Sequence, residues 1–168
     1  MGNDQSLVDA MVNLGLELTK KNIGLVYGGG SVGLMGVIAD TVLENKGKVW
    51  GVIPQFLADW EVAHKDLTHM ETVVSMHERK KRMYDLSDAF FVMPGGIGTL
   101  DEFFEVLTWS QLNLHKKPIY LINQNGFFDA IVQHLQFIHD SGFLSKKHLD
   151  LVRTKNSALD ALSDWLSL

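Results

Sequence analysis

The sequence predicts an α/β fold, a Rossmann-like parallel sheet flanked by helices, in one domain spanning residues 1–168. Three observations predict it. Short apolar runs bounded by glycine or proline alternate with longer amphipathic runs, the pattern of βα units. Two of the short runs feed glycine-rich turns, VYGGGSVGLMG at 26–36 and MPGGIGTLDE at 93–102, where a strand passes into a helix. The composition, 46% hydrophobic with three prolines and no internal repeat, suits one packed core rather than a disordered or solenoid chain.

Taken in order, the chain opens on an amphipathic helix at 4–21, followed by the strand IGLVY at 23–27 and a helix at 32–46. KVWGVIP at 48–54 is the next strand, and QFLADWEVAHKD at 55–66 reads as irregular. METVV at 70–74 is a strand that leads into a helix at 75–87, and AFFVMP at 89–94 is a strand that leads into a helix at 99–114. PIYLIN at 118–123 is the last predicted strand, with helices at 127–140 and 157–166 after it. A doubly wound domain ordinarily opens on a strand, so the first strand and its ligand-contacting turn are expected to be missing from this chain.

A formal charge of −5 disfavours nucleic acid as a partner, because phosphate backbones need a basic surface. The absence of cysteine excludes disulfides and thiol nucleophiles and fits a reducing compartment, with the cytoplasm as the expectation. No apolar run reaches the roughly 18–20 residues that span a bilayer, so no membrane partner is expected. The seven histidines show no metal-ligand spacing, and no G-x-S-x-G elbow is present.

In the first glycine turn, Gly28, Gly30 and Gly33 match the G-x-G-x-x-G spacing, and Gly29 and Gly30 are the candidates for close approach to a ligand. The following strand ends in GVIP without the acidic residue that would hold a dinucleotide ribose, which argues against NAD. The glycines also have a purely structural reading, as a tight turn under a helix. In the second turn no lysine follows Gly98, against a triphosphate P-loop. Gly95, Gly96, Gly98 and Thr99 suit a single phosphate held by backbone N–H groups and a hydroxyl. Thr99-Leu-Asp-Glu102 also spells a capping box, in which Glu102 does no more than close its own helix.

The stretch SMHERKKRMYDLSDAF at 75–90 weighs on that choice. At 100° per residue Met76, Met83 and Leu86 form an inward stripe flanked by Arg79 and Lys80, with Lys81 and Arg82 on the solvated half. An arginine at a buried edge needs an anionic partner, for which Glu102 and a phosphate are the candidates. Glu105 lies one turn beyond Glu102 on nearly the same face, and such a pair can hold a ribose.

On these residues the chain resembles the LOG (lonely guy) family of cytokinin riboside 5'-monophosphate phosphoribohydrolases, often mislabelled lysine decarboxylases. The resemblance runs through YGGGSVGLMG, GVIP, MHERK, SDAF, MPGGIGTLDE, TWSQLNLHKKPIYLIN and NGFFD, nearly the whole chain. It implies hydrolysis of the N-glycosidic bond of AMP or an N6-modified adenosine 5'-monophosphate, with no cofactor, in a homodimer. By position, Arg79 and Glu102 fill the catalytic places and Lys80 sits beside them. Gly95, Gly96, Gly98 and Thr99 fill the phosphate loop, with Gly29, Gly30 and Glu105 as further substrate contacts. Two departures stand out: Met1 falls inside the family's first loop, and His69 stands where a glutamate is common. No pyridoxal-phosphate lysine context supports a decarboxylase. The rival classes are a non-catalytic nucleotide or pterin-cofactor carrier of the same fold and an inactive assembly protein.

Overall fold

A computed structural model describes residues 4–58 and 63–168. Its contacts divide the chain into two compact units, Met1–Ser87 and Asp88–Leu168, each built as a three-stranded parallel sheet with helices.

The first unit begins on α1 (Gln5–Lys20), whose N-cap Asp4 accepts the Ser6 N–H at 2.9 Å. Leu7, Met11, Leu14 and Leu18 recur at helical spacing and form its buried face. This helix packs on α2 (Leu34–Glu44), and at Gly15 the two approach so closely that an added Cβ would lie 2.9 Å from the Thr41 methyl. Beneath them run β1 (Leu25–Tyr27), β2 (Val49–Pro54) and β3 (His69–Val73), in the order β1-β2-β3. Registers of Leu25 with Val49 and of Trp50 with His69 make both pairings parallel. Apart from half-buried Trp50, every residue of β2 is buried, as a central parallel strand requires. α3 (Gln55–Ala58) is a single helical turn at the start of the stretch expected to be irregular, of which 59–62 lie outside the described residues. α4 (Met76–Leu86) closes the unit.

The second unit carries β4 (Phe90–Val92), α5 (Ile97–Gln111), β5 (Ile119–Ile122) and α6 (Asp129–Asp140), with a 3-10 turn at Gln124–Gly126. Its core holds Val92, Phe103, Leu107, Ile119, Leu121, Phe128 and Leu135. Three elements here were not predicted or were misplaced. α7 (Lys146–Leu149) and β6 (Val152–Lys155) lay in a stretch without an apolar run, and α5 begins at Ile97 rather than 99. β6 pairs parallel to β5, Tyr120 opposite Arg153, in the order β4-β5-β6.

A polar cluster fastens β6 to α8 (Ala158–Trp165). The Asp164 carboxylate accepts from Lys155, from the Tyr120 hydroxyl at 2.8 Å and from Arg153 at 2.9 Å. The bonds from Lys155 and then from Tyr120 hold its carboxyl down at about 2, below the ordinary 3.8. Burial, then the bond to Asp164, pushes the Tyr120 hydroxyl up to about 12. Because the folded value lies below the unfolded one, the stabilisation is complete above about pH 4 and drains away as pH falls through about 2. Asp164→Asn is expected to lower stability at neutral pH and to flatten its fall between pH 4 and 2. Urea midpoints across that range check this, and an acid limb as steep as the parent's would refute it.

Candidate active site

The C-terminal ends of β1 and β2 place the first set of candidate residues. Gly28, Gly29 and Gly30 follow β1 directly and are all buried. A Cβ at Gly28 would collide with the Arg79 guanidinium, so glycine here is the space that Arg79 fills. Gly29 has φ +78, and an added Cβ would meet Ile53 and the Met70 sulfur at 3.3 Å, so conformation and packing both require glycine. Its carbonyl accepts the His64 N–H at 3.0 Å, and Gly30 bridges antiparallel to Ala63. The loop enters α2 through Gly33, at φ 71, with no side-chain cap.

α4 carries the basic residues. Ser75 caps it by accepting the Glu78 N–H at 3.2 Å, while Glu78 reaches back to the Val74 N–H at 2.9 Å. Sequence inspection passed over this Ser-x-x-Glu box, although its spelling signals it. The expected inward stripe of Met76, Met83 and Leu86 is only half-buried, and Arg79, 7% exposed, is the buried residue of the helix. Its Nε donates to the Val52 carbonyl at 3.1 Å and its Nη2 to the Gly28 carbonyl at 2.9 Å. Nη1 meets the Met76 sulfur at 3.9 Å. Among the described residues no carboxylate pairs with this guanidinium. Lys80 is half-buried, exposed Lys81 pairs with Asp85, and Arg82 grips both carboxylate oxygens of Glu71 at 2.8 and 2.9 Å.

The second glycine turn follows β4. Gly96 is the N-cap of α5 and makes no side-chain cap bond, and Thr99 is already the third helical residue, its N–H bonded to the Gly96 carbonyl at 3.1 Å. The Thr99–Glu102 capping box is therefore not made, because the helix starts two residues before it. A Cβ at Gly95 would collide with the Thr99 hydroxyl, whereas at Gly96 and Gly98 it would meet nothing within 4 Å. Gly95, Gly96 and Gly98 are exposed and lack positive φ. Gly98 thus sits inside a helix, in open space, where alanine would be more stable by about 1 kcal/mol. Nothing in the fold asks for glycine there. Glu102 and Glu105 stand half-buried on the same helix, while Phe103 and Leu107 point into the core.

Arg79, Lys80, Gly29 and Gly30 thus belong to the first unit, and Gly95, Gly96, Gly98, Thr99, Glu102 and Glu105 to the second. The expectation that Glu102 faces Arg79 concerns residues of different units.

Parallel βα units whose glycine turns open onto uncapped helix starts define a Rossmann-like α/β protein suited to anionic ligands. The family profile described as "Possible lysine decarboxylase" matches residues 35–164. The chain is 41% identical to the cytokinin riboside 5'-monophosphate phosphoribohydrolase LOG1 of Arabidopsis thaliana, over 94% of this chain and 74% of that protein. It belongs to the LOG family. The solved structure of TM1055 superposes with a TM-score of 0.76 at 22% identity, covering 100% of this chain and 92% of that one. A molybdenum cofactor binding protein from Rippkaea orientalis shares the fold at a TM-score of 0.71 and 17% identity, over 99% and 90% of the two chains.

Two stability predictions follow from this geometry. Gly28→Ala, which drives a methyl into the guanidinium, is expected to cost about 1–3 kcal/mol. Ser75→Ala removes the cap of α4 and is expected to cost about 1 kcal/mol. Chemical denaturation measures both; a Gly28→Ala protein as stable as the parent would contradict the close fit at Arg79.

Proposed function

We propose that this chain hydrolyses the N-glycosidic bond of AMP or an N6-modified adenosine 5'-monophosphate, releasing the free base and ribose 5-phosphate. The observation that carries the reading is the start of α5, where Gly96 and Gly98 leave backbone open at an uncapped, positively polarised helix end. A monophosphate is the ligand such a cradle suits, and the LOG relatives named for that activity support the choice. Thr99 adds a hydroxyl.

Breaking the bond from C1' to the base nitrogen builds positive charge on the ribose, and a carboxylate near C1' lowers that barrier. Glu102 takes this role, with Glu105 binding ribose hydroxyls. Water supplies the oxygen of the new bond at C1', and its proton ends on the departing base. Arg79 carries a buried positive charge that two carbonyls orient and no described carboxylate neutralises, so it binds an anionic or hydroxyl-bearing part of the substrate. It remains protonated at neutral pH and serves as an electrostatic group, not a proton donor. Lys80 adds positive charge beside it.

We propose further that the enzyme works as a cytoplasmic homodimer. Phe104, 38% exposed, and Leu112, 62% exposed, leave apolar surface on α5 and its end, and the chain, without cysteine, has no disulfide that a reducing compartment would break. Among the described residues no helix is long and apolar enough to cross a membrane.

The test is base release from AMP and N6-isopentenyl-AMP, followed by chromatography. Glu102→Gln is expected to cut kcat by about a hundredfold or more while nucleotide binding persists. Gly98→Ala is expected to raise stability by about 0.5–1 kcal/mol and to raise KM about tenfold. Intact nucleotide bound without turnover by the parent protein would favour a carrier, and Gly98→Ala with unchanged KM would remove the cradle.

A further inference from the structure

A buried histidine, His64, lies over the first glycine loop. His64 is 9% exposed and both ring nitrogens are engaged. Nδ1 accepts the Asp66 N–H at 3.2 Å, so the ring proton sits on Nε2, which donates to Asp40 Oδ1 at 2.8 Å. Asp40 stands on α2, the helix that the loop feeds. The His64 backbone N–H donates to the Gly29 carbonyl at 3.0 Å, and the adjacent Ala63 bridges Gly30. Farther along, the Thr68 hydroxyl accepts the Val49 N–H at 3.0 Å, which ties the segment's other end to β2.

We infer that the Asp40–His64 pair is a latch that sets the conformation of the Gly28–Gly30 loop for substrate, making both positioning residues. The inference rests on the proposed nucleotide reading for its substrate, although the latch itself stands on geometry within the first unit. Asp40 fixes the imidazole, the imidazole fixes the 63–66 turn through Asp66, and the turn holds the Gly29 carbonyl through the His64 N–H while Gly29 keeps φ +78. Gly28, one residue before, presents the carbonyl that orients Arg79. Loosening the latch therefore degrades the loop and the aim of Arg79 without removing either.

The test compares Asp40→Ala, Asp40→Asn, His64→Ala and the double alanine variant. Asparagine keeps an acceptor for the Nε2 proton, so Asp40→Asn is expected to behave as the parent. Asp40→Ala and His64→Ala are each expected to raise KM about five- to twentyfold with kcat within about threefold, and the double variant to match His64→Ala. Asp40 is exposed, so its variants fold even if His64→Ala does not. Hydrogen exchange of the His64 amide is expected to speed up at least tenfold in Asp40→Ala and not in Asp40→Asn. Faster exchange with unchanged KM, additive single effects, or an Asp40→Asn protein as impaired as Asp40→Ala would each overturn the inference. A parent protein that releases no base sinks the substrate reading instead; the exchange comparison, with KM replaced by the Kd for AMP, still decides the latch.

Discussion

The guanidinium of Arg79 ends between two main-chain carbonyls, and most of the first unit's local design follows from accommodating it. Burying a full positive charge costs several kcal/mol unless its donors are satisfied. Val52, within β2, and Gly28, just after β1, supply the acceptors, so one side chain ties β1, β2 and α4 together. The same demand dictates glycine at 28. The two carbonyl dipoles satisfy guanidinium donors without cancelling the charge itself.

The helix starts divide along similar lines. α1, α4, α7 and α8 are closed by Asp4, Ser75, Ser145 and Ser157, each accepting a backbone N–H from its own first turn. α2 and α5, which follow the two glycine-rich turns, have no such cap, and α6, entered from the Gln124–Gly126 turn through Phe128, has none either. In α2 the loop itself is packed, with Gly29 pressed against Ile53 and Met70. In α5 it is open, and Gly98 gives up helix propensity without any steric return.

Much of this was legible in the sequence. Four of the six described strands, β1, β2, β4 and β5, are apolar runs closed by glycine, proline or asparagine, whereas β3 is more polar and runs on into Val74 and Ser75; the alternation of these runs with helical stretches marks the α/β class. β6 was not legible because Val-Arg-Thr-Lys has one apolar residue, its arginine and lysine being held by Asp164 rather than by burial. At the site, glycine spelling located both turns but did not separate their roles. Ser75-Met-His-Glu78 and Thr99-Leu-Asp-Glu102 are the same motif in letters, and only the backbone tells that the first caps a helix and the second lies inside one. The inward lean of Arg79 followed from helical geometry; its carbonyl partners did not, because they come from residues 27 and 51 positions away. His64 gave no signal at all, since a lone histidine in a polar stretch has no pattern to read.

The cluster on Asp164 bears on more than the fastening of β6. That strand ends its sheet's order, and an end strand exposes backbone groups on which another chain can add a strand of its own. Here the exposed Thr154 is flanked by two cations, and the segment is only four residues long. An incoming strand would find little apolar surface and a pair of charges already spoken for. The feature that hid β6 from sequence inspection thus also makes this border of the sheet a poor template for aggregation.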